Sequence, residues 1–183
     1  MNILSRQGEA LYSHNTENLR YALEQAIISG FDLSGASITQ ADLRNANLDG
    51  AILGNAFFSE VDFSGANMSE CALDNAVFIN CKFYDTCFAE SSLRNAEFNN
   101  CNYGDTDFAY TCLDGIKVKT DRLSYFNFNS AESLSKASFV WRGKNIPMST
   151  SPAIYQNAQD SMMVFDSHIL CNGKIFKCKK VFS

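Results

Sequence analysis

The sequence predicts an all-β fold: a four-sided coil with a helix at one end and a hairpin at the other. Two periods and one end signal predict it. Large apolar residues recur every five positions, from Leu33 through Ile38, Leu43, Leu48, Leu53 and Phe58 to Leu113. An amphipathic helix repeats at 3.6 residues and a half-buried strand at 2, so a beat of five belongs to neither. Behind it lies a period of twenty. Leu33, Leu53, Leu73, Leu93 and Leu113 form one column, Phe58, Phe78 and Phe98 another, and Asn55, Asn75 and Asn95 a third. A coil of four five-residue sides stacks residues twenty apart, which makes such columns self-packing ladders. The end signal is an amphipathic segment, "NTENLRYALEQAIISG", just before the first repeat.

Residues 1–30 are expected to cap the coil. "NILSRQGEALY" reads as a short hairpin. Leu19, Ala22, Leu23, Ala26 and Ile27 then fall at helical spacing, with Asn15 or Thr16 as N-cap and Gly30 as the stop. Phe31 is expected to fill an inward slot of the first coil.

Residues 31–130 are the coil itself. Two positions before each large residue stands a small one, such as Ala36, Ala46, Ala56, Cys71, Thr86 or Ser91. Each side therefore reads small, polar, large apolar, polar, polar. Small and large residues point inward and the other three outward. Stacked sides pair like strands about 4.8 Å apart. One coil buries nothing alone, so the stack must hold several coils and be capped at both ends. The beat weakens after Leu113, although Val118, Leu123 and Phe128 keep its phase. Ile116 and Phe126 are large for the small slot, and Asp121 puts a charge there.

Residues 131–183 are expected to form a C-terminal cap or dimerisation segment. "SHILCNGKIFKCKKVF" reads as a hairpin turning at Asn172-Gly173, and "NIPMSTSPAIYQNAQDS" as a loop.

The units "ADLRN", "ANLDG", "SSLRN" and "VDFSG" resemble the A(D/N)LXX motif of the pentapeptide-repeat family, over about Phe31 to Leu113. The resemblance implies a right-handed, quadrilateral β-helix. Relatives of this fold include quinolone-resistance and gyrase-protecting proteins, which imitate duplex DNA and occupy the DNA-binding saddle of type II topoisomerases.

Enzyme chemistry finds no foothold. The sequence has no P-loop, no GxGxxG and no GxSxG, and its two histidines, His14 and His168, lie outside the repeat. No catalytic residue and no cofactor is expected. The seven cysteines are odd in number and contain no CxxC, which suits small reduced thiols in an intracellular protein. The set His168, Cys171 and Cys178 matches no familiar zinc spacing, so no metal is expected either. With no long apolar run and no signal-like opening, the chain is expected to be cytoplasmic and to have no membrane partner.

Charge is more informative. From Phe31 to Gly115 there are 13 acidic and 3 basic residues, and from Ile116 to Ser183 there are 4 acidic and 10 basic. An acidic rod thus carries a basic tail, which includes Lys177, Lys179 and Lys180. Binding nucleic acid directly through the rod is not expected. The rod would be about 20 Å long, so its net charge is about one per 2 Å, near the one per 1.7 Å of duplex DNA.

Two surfaces are candidates for a protein partner. The side of Leu48, Met68, Phe88 and Phe108 carries Asp49, Glu70, Glu90 and Asp107 with no cation. The side of Ile38, Phe58, Phe78 and Phe98 places Phe57, Val77 and Ile79 at outward positions and carries only Glu60 and Glu97 as charges. Ile52 is a further outward apolar residue on the Leu33 side. The reading that follows is a non-enzymatic protein-interaction module. The alternative is a DNA mimic acting on a topoisomerase, restriction enzyme or nuclease. Homodimerisation through the tail hairpin or the apolar side remains open at this level.

Overall fold

The computed structural model describes residues 1–120, 126–156 and 161–178. Strands β1 (Asn2–Leu4) and β2 (Ala10–Ser13) form an antiparallel hairpin, followed by helix α1 (Leu19–Ile28). The coil then supplies β3 (Ser37–Thr39), β4 (Phe57–Ser59), β5 (Val77–Ile79), β6 (Lys82–Phe83), β7 (Glu97–Asn99), β8 (Asn102–Tyr103) and β9 (Lys117–Thr120). After it come β10 (Ala137–Trp141), β11 (Lys144–Met148), β12 (Ala153–Gln156), β13 (Ser161–Val164), β14 (His168–Cys171) and β15 (Lys174–Lys177).

One side of the coil is a parallel sheet in the order β3, β4, β5, β7, β9, β10, with Ile38, Phe58, Phe78, Phe98 and Val118 in register. The other sides are narrower, held by the short pairing of β6 with β8 and by single bridges such as Asn47 to Asn67 to Cys87 to Asp107. The corners explain the five-residue beat. From Gly35 to Gly115 every fifth residue except Asp105 has a φ of 51 to 74°, among them Asn45, Asn55, Glu70, Asn75, Glu90 and Asn95. One left-handed residue per side turns the chain. Asparagine and glycine adopt that conformation most easily, which accounts for their recurrence there. The turn is closed by the small residue's N–H, as where Ala46 donates to the carbonyl of Leu43 at 3.1 Å.

The interior is continuous. Phe58, Phe78 and Phe98 stack at 5.0 and 4.9 Å between centroids, and Phe63 stacks on Phe83 at 5.5 Å. The two columns meet edge to face, Phe78 against Phe83 at 5.3 Å. Polar residues in the small slots stay satisfied because each donates to a carbonyl of the preceding coil. Thr86 reaches Phe63, Ser91 reaches Met68 and Thr111 reaches Phe88, at 2.9, 2.7 and 2.8 Å.

The ends depart from expectation in instructive ways. Helix α1 is capped by Asn18, whose side chain accepts from the N–H of Tyr21, and not by Asn15 or Thr16. Its stop is a Schellman turn: Gly30 at φ 73° donates to Ile27, and Phe31 donates to Ala26. That turn swings Phe31 outward. It is 45% exposed and packs edge-on against Tyr12 instead of filling the core.

The coil also continues past the point where the beat fades. Cys112 bridges to Ser133 and Val118 pairs with Phe139, a step of 21 instead of 20. The spacing in Ala131-Glu132-Ser133-Leu134 holds one extra residue, which puts later large residues out of phase. Leu134, Ala137 and Phe139 are nonetheless buried. Ile116 and Phe126 also turn inward, with Phe126 packed against Tyr103 and Phe139. Asp121 and Leu123 lie outside the described residues.

Strand β11 reverses direction and lies antiparallel on β10. Its Pro147 is tolerated because no strand follows on that edge. Strands β12 to β15 form an antiparallel meander, with the Asn172-Gly173 turn as expected. Much of the segment read as a loop is therefore strand, β11 and β12. The meander joins the core through Phe165, 5.1 Å from Phe139.

Candidate functional site: the side surfaces of the coil

Backbone pairing fixes the outward residues in columns, and the columns sort the charges. The basic residues from 31 to 120 are Arg44, Lys82, Arg94, Lys117 and Lys119. All are in ion pairs: Arg44 with Asp42 at 2.6 Å, Lys82 with Asp62 at 3.2 Å and Arg94 with Asp74 at 3.9 Å. Lys117 and Lys119 both hold Glu97, at 2.9 and 2.6 Å. Most partners lie one coil apart, which the period of twenty dictates.

These pairs leave their mark on acidity. Hydrogen bonds from the Arg44 side chain and N–H hold the Asp42 carboxyl down at about 2. The Lys119 ammonium, aided by Lys117, holds Glu97 below its ordinary value despite partial burial. Burial pushes Asp62 up, but the Ser64 hydroxyl and N–H and the Lys82 ammonium outweigh it. At this exposure each pair contributes little to stability. Their effect here is to offset part of the acidity on two sides of the coil and to balance that of the Ile38 side.

The fourth side is different. Asp49, Glu70, Glu90 and Asp107 are all exposed. Among the described residues none of them forms an ion pair. Glu70 and Glu90 occupy left-handed corners, φ 53 and 60°, one coil apart. Asp107 is oriented by the N–H of Ala109, which donates to it at 2.9 Å. The surface between them is polar: Asn67 donates to Asn47 at 3.3 Å. One member was missed in the sequence. The Glu24 carboxylate, on α1, accepts from the N–H of Asn47 at 3.1 Å and sits at the head of this side. No period could reveal it, because its position depends on how the helix docks.

The apolar column is narrower than expected. Phe57, Val77 and Ile79 are half-buried. The N-terminal hairpin folds across its first member. Ser5 bridges to Ala36, the N–H of Arg6 donates to Gly35 at 3.2 Å, and the Arg6 guanidinium lies 4.7 Å over the Phe57 ring. Farther along the same side stand Glu97, Lys117 and Lys119. Ile52 is 43% exposed.

None of the seven cysteines forms a disulfide. Cys71, Cys81 and Cys101 are buried, and burial pushes the Cys71 thiol up to about 12. Among the described residues no three of His, Cys, Asp and Glu gather as metal ligands, and no helix is long and apolar enough to cross a membrane. Lys177 lies on β15, and Lys179 and Lys180 lie outside the described residues.

Residues 31–108 match the family model described as the pentapeptide repeat region. This segment is thus a pentapeptide-repeat region. Among solved structures it is similar to HetL, a pentapeptide repeat protein involved in heterocyst differentiation regulation from the cyanobacterium Nostoc sp. The match has 18% identity and a TM-score of 0.52, and it covers 57% of this chain and 45% of HetL. It is also similar to Rfr23, a pentapeptide repeat protein from the cyanobacterium Cyanothece, at 21% identity and a TM-score of 0.28, over 50% of this chain and 66% of that one. At such identities the likeness to HetL shows a shared fold. No curated protein matches the chain in sequence. The pentapeptide-repeat fold is consistent with a non-enzymatic repeat module, since its interior is filled by ladders of side chains.

Proposed function

We propose that this chain is a non-enzymatic protein-interaction module whose contact face is the acidic side, Glu24, Asp49, Glu70, Glu90 and Asp107. The observation that carries this reading is the segregation of charge. Every cation between 31 and 120 is engaged on another side, which leaves this one uncompensated. A row of fixed, solvated carboxylates accelerates encounter with a basic surface and repels acidic ones. The partner is therefore a protein with a basic face. A cytoplasmic setting suits the free cysteines.

The DNA-mimic alternative draws on the same face, but the longer coil weakens it. From Phe31 to Trp141 the sequence carries 15 acidic and 7 basic residues, a net of −8. Five steps of about 4.8 Å make about 24 Å, or one charge per about 3 Å, a little over half the density of duplex DNA.

The test compares proteins captured from the native host by the wild-type chain and by the variant Asp49→Asn, Glu70→Gln, Glu90→Gln, Asp107→Asn. A partner bound through this face binds the variant at least about tenfold more weakly, and its capture falls with salt. Equal capture by both chains refutes the assignment. Displacement of the partner by duplex DNA would favour the mimic.

A further inference from the structure

The C-terminal cap contains a cleft with a chemistry opposite to that of the coil. It lies between two tight turns, Arg142-Gly143 joining β10 to β11 and Asn172-Gly173 joining β14 to β15. Both turns are left-handed, with φ of 46 and 77° in the first and 46 and 76° in the second. The cleft has a volume of about 480 Å³, within the range of small-molecule sites. Its walls combine Trp141, Ile175 and Phe176 with Arg142, Lys144 and Lys174, and among the described residues they include no carboxylate.

Three features point to a ligand. First, Arg142, Lys144 and Lys174 are exposed and, among the described residues, in no ion pair. That sets them apart from the cations of the coil. Second, Phe176 is 52% exposed beside them, an aromatic face on a rim of cations. Third, Trp141 is 5% exposed and its buried Nε1–H has no hydrogen-bond partner among the described residues. The ring itself is held in place, stacked on Phe139 at 6.3 Å with the Arg142 guanidinium 5.5 Å from its centroid. A buried indole N–H usually finds an acceptor.

We propose that this cleft binds a small aromatic anion of the nucleoside-diphosphate class. The planar ring stacks on Phe176, and the phosphates pair with Arg142, Lys144 and Lys174. Both parts are needed. Cations alone give a loose patch for any anion, and an exposed aromatic alone gives no charge preference. Together they reproduce the base-stacking and phosphate contacts by which proteins hold nucleotides. The site shares no residue with the acidic side, so the two proposals stand or fall separately.

Trp141 is the only tryptophan in the chain, so its fluorescence reports the cleft directly. Titration with ADP at low salt is expected to give a saturable change. Adenosine, which lacks the anion, and pyrophosphate, which lacks the ring, should each bind at least about tenfold more weakly. Equilibrium dialysis with labelled ADP detects binding that leaves the fluorescence unchanged. The double variant Arg142→Gln, Lys174→Gln should lose about tenfold or more, and Phe176→Ser several-fold, each with an unchanged far-ultraviolet circular dichroism spectrum. Lys82→Gln, on the coil, should bind as wild type. The proposal is overturned by no retention at about 1 mM ADP. It is equally overturned by pyrophosphate binding as tightly as ADP, by unchanged affinity in the double variant, or by a single-stranded oligonucleotide binding where ADP does not.

Discussion

Phe78 stands at the centre of the aromatic interior, and its replacement by alanine gives the sharpest test of the coil. The ring is fully buried and stacks on Phe58 and Phe98 at 5.0 and 4.9 Å, with edge contacts to Phe63, Phe83 and Phe88. Truncation leaves a cavity of about 100 Å³, which at about 24 cal/mol per Å³ costs about 2.4 kcal/mol. Losing about 100 Å² of buried apolar surface at about 25 cal/mol per Å² adds about 2.5 kcal/mol. The sum is close to 5 kcal/mol, the top of the usual range for such a change and a third or more of a typical domain's stability. Urea unfolding followed by circular dichroism measures it. Since each coil contacts only its neighbours, a gap in the middle should also uncouple the two halves and broaden the transition. Phe78→Leu, which nearly conserves volume, should cost no more than about 1.5 kcal/mol. A loss below about 2 kcal/mol for Phe78→Ala would refute the continuous ladder, because a side chain stacked on both faces cannot be removed so cheaply.

Further predictions follow from other columns. Tyr103 continues the Phe63 and Phe83 stack with a buried hydroxyl that has no partner among the described residues; Tyr103→Phe should therefore leave stability unchanged or raise it by about 1 kcal/mol in the same urea assay. Gly65 and Gly50 both have positive φ, but a Cβ on Gly65 would collide with the Asn45 side chain whereas Gly50 faces open space. Gly65→Ala should cost at least about 1 kcal/mol more than Gly50→Ala, read as the difference in thermal midpoints. The Glu97 carboxyl is depressed in the folded state, so its contribution is present above the ordinary glutamate range and lost as pH falls through its folded value. Glu97→Gln should flatten stability against pH below that range and leave its shape near neutrality unchanged. Iodoacetamide under native conditions should spare Cys71, Cys81 and Cys101 and modify Cys87 before Cys112, whose thiol is held up by the Glu132 carboxylate; peptide mapping reads the order.

Much of the fold was legible because the coil repeats a local rule. Each side needs a small residue, a large one and a left-handed corner, and all three leave letters in the sequence. The same dependence explains the failures. One extra residue at Glu132-Ser133 broke the phase, although hydrogen bonds simply rejoined a step later. Strands β11 and β12 were read as loop because Pro147 and Pro152 dominate that stretch, and an edge strand tolerates proline where an inner one does not. Phe31 looked inward because the beat demands it, but a glycine turn redirected the chain before the beat began. In the candidate surfaces, outward positions could be counted but coverage could not. Arg6 over Phe57 and Glu24 beside Asn47 both come from segments without a period. The clamp on Glu97 was hidden for a different reason. Lys117 and Lys119 lie beyond the clear repeat and were grouped with the basic tail, whereas the sheet brings them back onto the coil.

The antiparallel return of β11 has a consequence for assembly. A stack of parallel strands ends in a row of unpaired backbone groups that would accept another coil from any neighbouring molecule. Here the last parallel strand, β10, is paired with β11, whose Pro147 lacks an N–H to offer and whose neighbours include Lys144. At the opposite end Arg6 and helix α1 lie over the first coil. The molecule is thus stoppered along its own axis. Among the described residues, neither end of the parallel stack presents a bare coil for another molecule to extend.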